Sequence, residues 1–337
     1  MTVEPEFANV AIIGNGAMGT VCAMILCEKG KDVIMWGHDR AEIDEMNSAR
    51  ENIRYLPGYP LPQTLKLEHS GKRALEKAEL IVNAVPCQYL RSVFSSLLKF
   101  IPPRVPIVSV TKGLEVDSLK RPTEILEDLA GKRDYIALSG PSIADEIARK
   151  LPATVTAAAK NPLCLEKVQK SFFCNYLRVY TNQDLVGVEL GGALKNVIAI
   201  AAGIVDGIGA GDNAKAALLS RGLAEIRRLG VALDARAETF SGLSGLGDLV
   251  TTCISKKGRN RSFGELLGQG YTAKEALGST RSVVEGAATC ESVVSLAEKL
   301  NVELPISMAV REVVAGRLEV KEAITSLMNR SPKREWY

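Results

Sequence analysis

The chain has 337 residues, a length typical of two domains. Hydrophobic residues make up 46% and charged residues 24%, as in an ordinary globular protein with a hydrophobic core. The formal net charge of +3 is too small for bulk attraction to nucleic acid or to a membrane surface, so we expect neither as a partner.

The cysteine pattern and the apolar runs indicate the compartment. Seven cysteines without any Cys-x-x-Cys argue against a disulfide framework in a chain of this length. The first residues, MTVEPEFA, lack the basic and apolar regions of a signal peptide. The longest apolar run, near 197–205, is too short to span a bilayer. We therefore expect a cytoplasmic protein that does not span a membrane.

The N-terminal segment carries a glycine-rich turn between two strands. Residues 9–13 predict a buried parallel strand, 20–29 a helix and 32–36 a second strand. The turn between the first strand and the helix consists of Gly14, Asn15, Gly16, Ala17, Met18 and Gly19. A G-x-G-x-x-G in this context predicts a dinucleotide site, because its glycines permit a tight turn, approach of a pyrophosphate and close helix–strand packing. A plain glycine turn is the weaker alternative.

The end of the second strand bears on the choice of cofactor. His38, Asp39 and Arg40 follow this strand. An acidic residue here usually binds the ribose 2′-hydroxyl of NAD, whereas a basic residue accepts the 2′-phosphate of NADP. Asp39 favours NAD, while His38 and Arg40 favour NADP, so the preference stays open. Asp39 and Arg40 are equally compatible with solvated loop residues.

Three further buried strands are predicted at 80–85, 107–110 and 135–138. Open α/β sheets bind ligands at the carboxyl ends of such strands. Lys112 follows one of these ends and fits a ligand contact or a surface lysine about equally well. Ser142 follows another and is predicted to cap a helix. The Pro/Gly-rich segment 56–63 predicts a loop that holds neither a strand nor a helix.

The strand signal ends near residue 181. Strands are predicted at 154–159 and 177–181, and everything beyond them has helical periodicity. We therefore predict an α/β, Rossmann-like N-terminal dinucleotide-binding domain over 1–183, followed by an all-helical C-terminal substrate and catalytic domain over 184–337. The helices of the second domain are predicted at 184–205, 213–229, 260–267, 284–300 and 320–328.

The first helix of that second domain has apolar residues on every face, yet Lys195 and Asn196 lie in its middle. A lysine in such a place is rare unless it is paired or has a task. Gly191 and Gly192 would let another backbone or a ligand come close. The two histidines, 38 and 69, are poorly placed as acid or base, so Lys195 is the candidate. The alternative is a lysine whose ammonium reaches the surface.

Two loops further along carry polar groups. The glycine-rich segment 241–249 holds Asp248, although a lone aspartate in such a loop is usually a turn former. The segment 256–261 has four cations beside Asn260, a composition that suits an anion such as phosphate. A solvated basic loop is an equal alternative.

Taken together, these segments resemble the NAD(P)-dependent glycerol-3-phosphate dehydrogenases of the bacterial type, and the resemblance covers almost the whole chain in order. The central block and the Gly-Leu-Gly-Asp and Arg-Asn-Arg motifs are specific, whereas the first glycine motif is not. The segments that carry it are Ile13 to Gly19, Trp36 to Asp39, Val85 to Gln88, Thr111 to Glu115, Ser139 to Ser142, Gly187 to Val197, Gly245 to Leu249, Arg259 to Arg261 and Val284 to Gly286.

The resemblance implies reversible reduction of dihydroxyacetone phosphate to sn-glycerol 3-phosphate by NADH or NADPH, which supplies glycerophospholipid synthesis. It implies Lys195 as the proton donor and acceptor. We expect no metal site, and the long apolar helical domain is compatible with a homodimer. The implied substrate contacts are Lys112, Gly140, Ser142, Lys195, Asp248, Gly258, Arg259 and Asn260. The implied cofactor contacts are Gly14, Gly16, Ala17, Met18, Gly19, His38, Lys112, Ala144, Arg259, Val283 and Glu285. Gly258 stands where relatives often have serine.

Two other functions remain open at this point. The first is a dehydrogenase of the same build that acts on a 3-hydroxy acid without phosphate, against which Arg259 and Lys112 argue. The second is a non-catalytic protein that senses a dinucleotide, which would have no need for a buried Lys195.

Overall fold

The computed structural model describes residues 6–279, 284–332 and 334–335. The strands of its first part are β1 Asn9–Ile13, β2 Asp32–Trp36, β3 Glu51–Asn52, β4 Leu56–Pro60, β5 Lys66–Glu68, β6 Leu80–Asn83, β7 Ile107–Ser109, β8 Tyr135–Ser139, β9 Ala153–Ala158 and β10 Leu177–Asn182. Eight of them form one sheet in the order β10-β9-β8-β7-β6-β1-β2-β5. All neighbours in this sheet pair in parallel except β8 with β9.

The chain builds the sheet outward from β1 in both directions. It goes to β2 and β5 on one side and then returns to β6, β7 and β8 on the other. Such a reversal opens a crevice at the carboxyl ends of the strands, where this class of sheet binds its ligands. The helices of this part are α1 Ala17–Glu28, α2 Arg40–Ala49, α3 Gly71–Leu75, α4 Cys87–Leu97, α5 Pro122–Ala130, α6 Ala144–Ala148 and α7 Pro162–Phe172.

The second part is helical throughout its described residues, which confirms the predicted fold class. The α-helices of this part are α8 Leu185–Gly207, α9 Gly211–Ala232, α10 Asp248–Ile254, α11 Arg259–Gly268, α12 Ala273–Gly278, α13 Glu285–Lys299, α14 Pro305–Val314 and α15 Val320–Met328. The central helix is α8, which packs against α9, α10, α11 and α13. A π-helical turn, Leu243–Gly247, leads into α10.

Glycines bring α8 and α11 into backbone contact. A Cβ atom placed on Gly203 would lie 1.9 Å from the carbonyl oxygen of Arg261, and one on Gly264 would lie 2.0 Å from that of Ile200. Gly207 and Gly268 continue the contact one turn further along each helix. Because no side chain separates them, the two backbones approach as closely as helices can, which fixes α11 against the core helix.

By length and composition, α8 is also long and apolar enough to cross a membrane, which corrects the expectation that the longest apolar run is too short. However, 94% of its most apolar window is buried inside the protein. Its hydrophobic residues therefore serve as the core of the helical domain. Among the described residues it is the one helix that meets this criterion.

Two local predictions are wrong. The segment 56–63 is not simply a loop, because Leu56–Pro60 forms β4 and pairs antiparallel with β3. Both strands of a two-stranded hairpin are edges, so prolines without an N–H are tolerated there. Ser142 does not cap the helix that follows it. Instead α6 starts at Ala144 with Ile143 as its N-cap, and Ser142 Oγ donates to the carbonyl of Gly140 at 2.9 Å, bracing the turn after β8.

Candidate active site

Two lysines share one buried aspartate at the junction of the two parts of the chain. Nζ of Lys195, on α8, lies 2.7 Å from Oδ1 of Asp248, the first residue of α10. Nζ of Lys112, after β7, lies 2.6 Å from Oδ2 of the same carboxylate. The Asp248 side chain is 2% exposed and that of Lys195 is 9% exposed. Lys112 of the first part thus contacts the helical domain through its ion pair with Asp248.

Thr252 completes this group, and sequence reasoning did not single it out. Nζ of Lys195 donates to Thr252 Oγ1 at 2.5 Å. Thr252 lies one turn after Asp248 on α10, so both side chains are on one face of the helix. The spacing of an aspartate and a threonine four residues apart, directly after the glycine-rich segment, is the signal that could have revealed it.

Burial lowers the pKa of Lys195 from its usual value to about 8. Loss of water around the ammonium is the main cause, and the positive charge of Lys112 acts in the same direction, whereas the Asp248 carboxylate opposes both. An amine with a pKa in this range exchanges a proton readily near neutral pH. The environment of Lys195 therefore suits a proton donor and acceptor.

The paired glycines before Lys195 allow other segments to reach α8. A Cβ on Gly192 would lie 2.6 Å from Ser139 Oγ at the end of β8, and one on Gly191 would lie 2.6 Å from the carbonyl oxygen of Ser244 in the π-helical turn. The close approach expected from the sequence thus involves the protein's own chain. Lys112 Nζ also donates to the carbonyl of Gly140 at 3.2 Å, which joins the turn after β8 to the lysine pair.

The cations of the basic segment are distributed over different partners. Arg259 is exposed at the first position of α11, and the N-cap of this helix, Gly258, has no side chain to bond the helix end. Arg261 is instead 6% exposed and pairs with Asp206 at 2.5 Å. Lys257 forms an ion pair with Asp145 of α6, across the cleft. Two cations of the segment, Lys257 and Arg261, are therefore paired with carboxylates of the protein itself.

Asn260 and Glu285 connect α11 and α13 to the cleft. Oδ1 of Asn260 accepts a hydrogen bond from the backbone N–H of Gly286 at 3.0 Å. Burial raises the pKa of the adjacent Glu285 carboxyl, while the positive charges of Arg259, Lys195 and Lys112 act against that rise. Glu285 thus lies within electrostatic reach of all three cations.

The glycine turn after β1 has the geometry that a dinucleotide requires. Gly14 has φ = +110°, and a Cβ there would lie 2.9 Å from the Ala84 backbone. A Cβ on Gly19 would lie 2.3 Å from the carbonyl oxygen of Gly14, so α1 packs directly on the turn. A Cβ on Gly16, in contrast, would meet no atom within 4 Å. The open side of the turn is therefore at Gly16, where a pyrophosphate would approach the start of α1.

The remaining predicted cofactor residues lie along the same edge of the sheet. Ala17 and Met18 start α1 and are partly buried, and Ala144 starts α6. His38 is exposed and follows β2. Two strands, β1 and β6, lie between β2 and β7 in the sheet, so His38 is separated from Lys112. Val283 lies outside the described residues. The described residues thus follow the crevice from the β2 side to the lysine pair.

A Rossmann-like domain with an open glycine turn, joined to a helical domain that offers a buried lysine with a lowered pKa, defines the class of dinucleotide-dependent dehydrogenases. Comparison with known proteins identifies the family. Residues 9–164 match the family model described as NAD-dependent glycerol-3-phosphate dehydrogenase N-terminus, and residues 184–325 match the corresponding C-terminus. The chain belongs to this family and is an NAD(P)-dependent oxidoreductase.

Individual relatives agree over the full length. The glycerol-3-phosphate dehydrogenase [NAD(P)+] of Geobacter sp. (strain M21) is 45% identical over 97% of this chain and 98% of its own length. That of Bacillus cytotoxicus is 45% identical over 97% of both. The crystal structure of glycerol-3-phosphate dehydrogenase from Coxiella burnetii is 37% identical, with a TM-score of 0.94, and covers 97% of this chain and 100% of that one.

Proposed function

We propose that this protein reduces dihydroxyacetone phosphate reversibly to sn-glycerol 3-phosphate, with Lys195 as the proton donor and acceptor, and so supplies glycerophospholipid synthesis. The observation that carries the lysine role is its contact with both Asp248 and Thr252 in a buried site at the crevice. Membership of the family supports the reaction. The nicotinamide, when bound, supplies or accepts the hydride.

The protein's own contribution at the carbonyl is charge and a proton. As C2 of the substrate is reduced, negative charge develops on its oxygen. The Lys195 ammonium stabilises that charge and transfers a proton to the oxygen. Asp248 and Thr252 each accept from Nζ, which fixes the direction of the remaining N–H. In the oxidative direction the neutral amine takes the proton back, which its lowered pKa favours.

The phosphate end needs a cation and hydrogen-bond donors. Arg259 starts α11, a helix whose N-terminus attracts negative charge and whose N-cap, Gly258, adds no side chain. We assign Arg259 and Asn260 to the phosphate, and Lys112, Gly140 and Ser142 to the rest of the substrate. Binding energy from the phosphate then orients the reacting carbonyl beside Lys195.

An initial-rate assay tests this proposal. Oxidation of NADH and NADPH is followed with dihydroxyacetone phosphate, with dihydroxyacetone and with the keto form of a 3-hydroxy acid. We expect turnover with the phosphorylated substrate and at least about a hundredfold lower kcat/KM without the phosphate. Preference for the 3-oxo acid would favour the other dehydrogenase. Tight cofactor binding without any oxidation would favour the dinucleotide sensor.

Three further expectations concern the domain boundary, the cellular location and the oligomeric state. We infer a domain boundary at 183/184, because β10 ends at Asn182 and α8 begins at Leu185 with Asp184 as its N-cap. We infer a cytoplasmic location, which the seven unpaired cysteine thiols support. The homodimer stays a prediction, since α8 buries its apolar residues within its own domain. Subcellular fractionation tests the cytoplasmic location, and light scattering measures the oligomeric state.

A further inference from the structure

A polar cluster lies against the glycine turn on the β2 side of the crevice. The Asn15 side-chain amide, within the G-x-G-x-x-G motif, donates to Oε2 of Glu42 at 2.9 Å. The other carboxylate oxygen of Glu42 accepts from Nη1 of Arg54. A Cβ on Gly37, directly after β2, would lie 3.2 Å from Cγ of Asn15. We call Asn15, Glu42 and Arg54 the turn cluster; it links the glycine turn, the start of α2 and the β3–β4 hairpin.

The hairpin that carries Arg54 is fixed to the glycine turn. Asn52, which is 1% exposed, donates to the carbonyl of Asn15 at 2.7 Å and to Thr20 Oγ1 at 2.8 Å. The Arg54 guanidinium also lies 5.2 Å from the centre of the Tyr55 ring. Arg54 is therefore held by a carboxylate and an aromatic ring, and its side chain is still 56% exposed. A cation held in this way is ordered and accessible at once.

The position of the cluster matches one part of a dinucleotide. In this type of sheet, the 2′ group of the adenosine ribose lies at the end of the second strand, beside the glycine turn. The nearby Asp39 uses Oδ1 to cap α2, accepting from the N–H groups of Ala41 and Glu42. Arg40 is 74% exposed, and its Nε lies 3.6 Å from Oδ2 of Asp44. Arg54 is thus better fixed than Arg40 for binding an anion there.

We propose that Arg54 binds the 2′-phosphate of the cofactor and makes NADPH the preferred coenzyme over NADH, an inference that rests on the proposed function. Arginine has five N–H donors in a planar fork, and Glu42 accepts from one of them, so further donors remain for a phosphate. Glu42 is then a positioning residue. Its negative charge is offset by Arg54, whose exposed side is where the phosphate would bind.

Binding of cofactor fragments tests this inference without catalysis. Isothermal titration compares 2′,5′-ADP, which carries the 2′-phosphate, with 5′-AMP, which lacks it, for the wild type, Arg54→Gln and Arg54→Lys. The matched control is Arg317→Gln in the helical domain, whose side chain is also 56% exposed and paired with a glutamate. We expect Arg54→Gln to weaken 2′,5′-ADP by roughly tenfold or more and 5′-AMP by less than about twofold. Arg54→Lys keeps the charge and should retain part of the discrimination.

Several outcomes would overturn the assignment. The wild type would bind both fragments with equal affinity, or Arg54→Gln would lower the affinity for both fragments or for neither. Arg54→Lys would bind 2′,5′-ADP as weakly as Arg54→Gln does. Arg317→Gln would lower the affinity for 2′,5′-ADP as much as Arg54→Gln does. Steady-state rates with NADPH and NADH should show the same ratio change. If the wild type does not reduce dihydroxyacetone phosphate at all, the proposed reaction fails, while the fragment titrations still decide the role of Arg54.

Discussion

Nζ of Lys195 and Oδ1 of Asp248 lie 2.7 Å apart, with both side chains almost entirely removed from water. A buried ion pair is retained only where its charges are well satisfied, because each charge is costly to desolvate. Here the carboxylate is satisfied twice, by Lys195 and by Lys112. The removal of one lysine therefore leaves Asp248 with a partner, and variants of Lys195 should fold.

This relationship makes Lys195→Met informative. The variant loses the proton donor while Asp248 keeps Lys112, so we expect kcat to fall by about 10²–10⁴-fold with little change in cofactor affinity. Initial-rate assays measure kcat, and quenching of protein fluorescence by NADPH measures cofactor affinity. Lys215→Met is the matched control, since Lys215 pairs with Asp206 on the other end of α8 and lies outside the proposed site. Near-normal turnover of Lys195→Met would remove the lysine from the mechanism.

The lowered pKa of Lys195 predicts the pH dependence of the reaction. Reduction needs the ammonium, so its kcat should be full below the pKa and should fall as pH rises through about 8. Oxidation needs the neutral amine and should rise over the same range. Because the Asp248 carboxylate raises this pKa, Asp248→Asn should shift the fall in kcat for reduction to lower pH. If the fall in kcat stays at the same pH in Asp248→Asn, a group other than Lys195 titrates.

Much of the fold and the central lysine could be predicted from the sequence because the signals are local. The strands of the sheet are short apolar runs, and the glycine turn has its own spacing. Lys195 stands out because it lies in the middle of a helix that has apolar residues on every face. For these features, the neighbouring residues in the chain already carry the signal.

Other features depend on partners that are distant in the chain, and the sequence could not reveal them. Arg261 belongs to the same basic segment as Arg259, yet it is buried because Asp206 of α8 lies opposite. The β3–β4 hairpin forms in a segment rich in proline, and Asn52 fixes it to Asn15 of the glycine turn. In both cases a tertiary contact overrides the local preference.

The separation of the cations in the basic segment leads to a prediction for Arg259. Arg259→Ala should raise KM for dihydroxyacetone phosphate by roughly 10–100-fold, as expected for the loss of a charge-assisted hydrogen bond, with a smaller effect on the KM of NADPH. Lys256→Ala, an exposed cation of the same segment, is the control and should change neither value by more than about twofold. Equal increases in both KM values for Arg259→Ala would argue against a grip on the phosphate.

The backbone contact between α8 and α11 predicts that even the methyl group of an alanine at Gly264 destabilises the protein strongly. Gly264→Ala would place a methyl group 2.0 Å from the carbonyl oxygen of Ile200, and backbone on both sides cannot yield without separating the helices. We expect a loss of about 3 kcal/mol or more in the free energy of unfolding, measured by urea denaturation followed by circular dichroism. Gly278→Ala, at the end of α12, meets no atom within 4 Å and should be neutral or slightly stabilising. Since Arg259 starts α11, Gly264→Ala should also raise KM for the phosphorylated substrate; equal stability of the two variants would mean that the helices do not touch through their backbones.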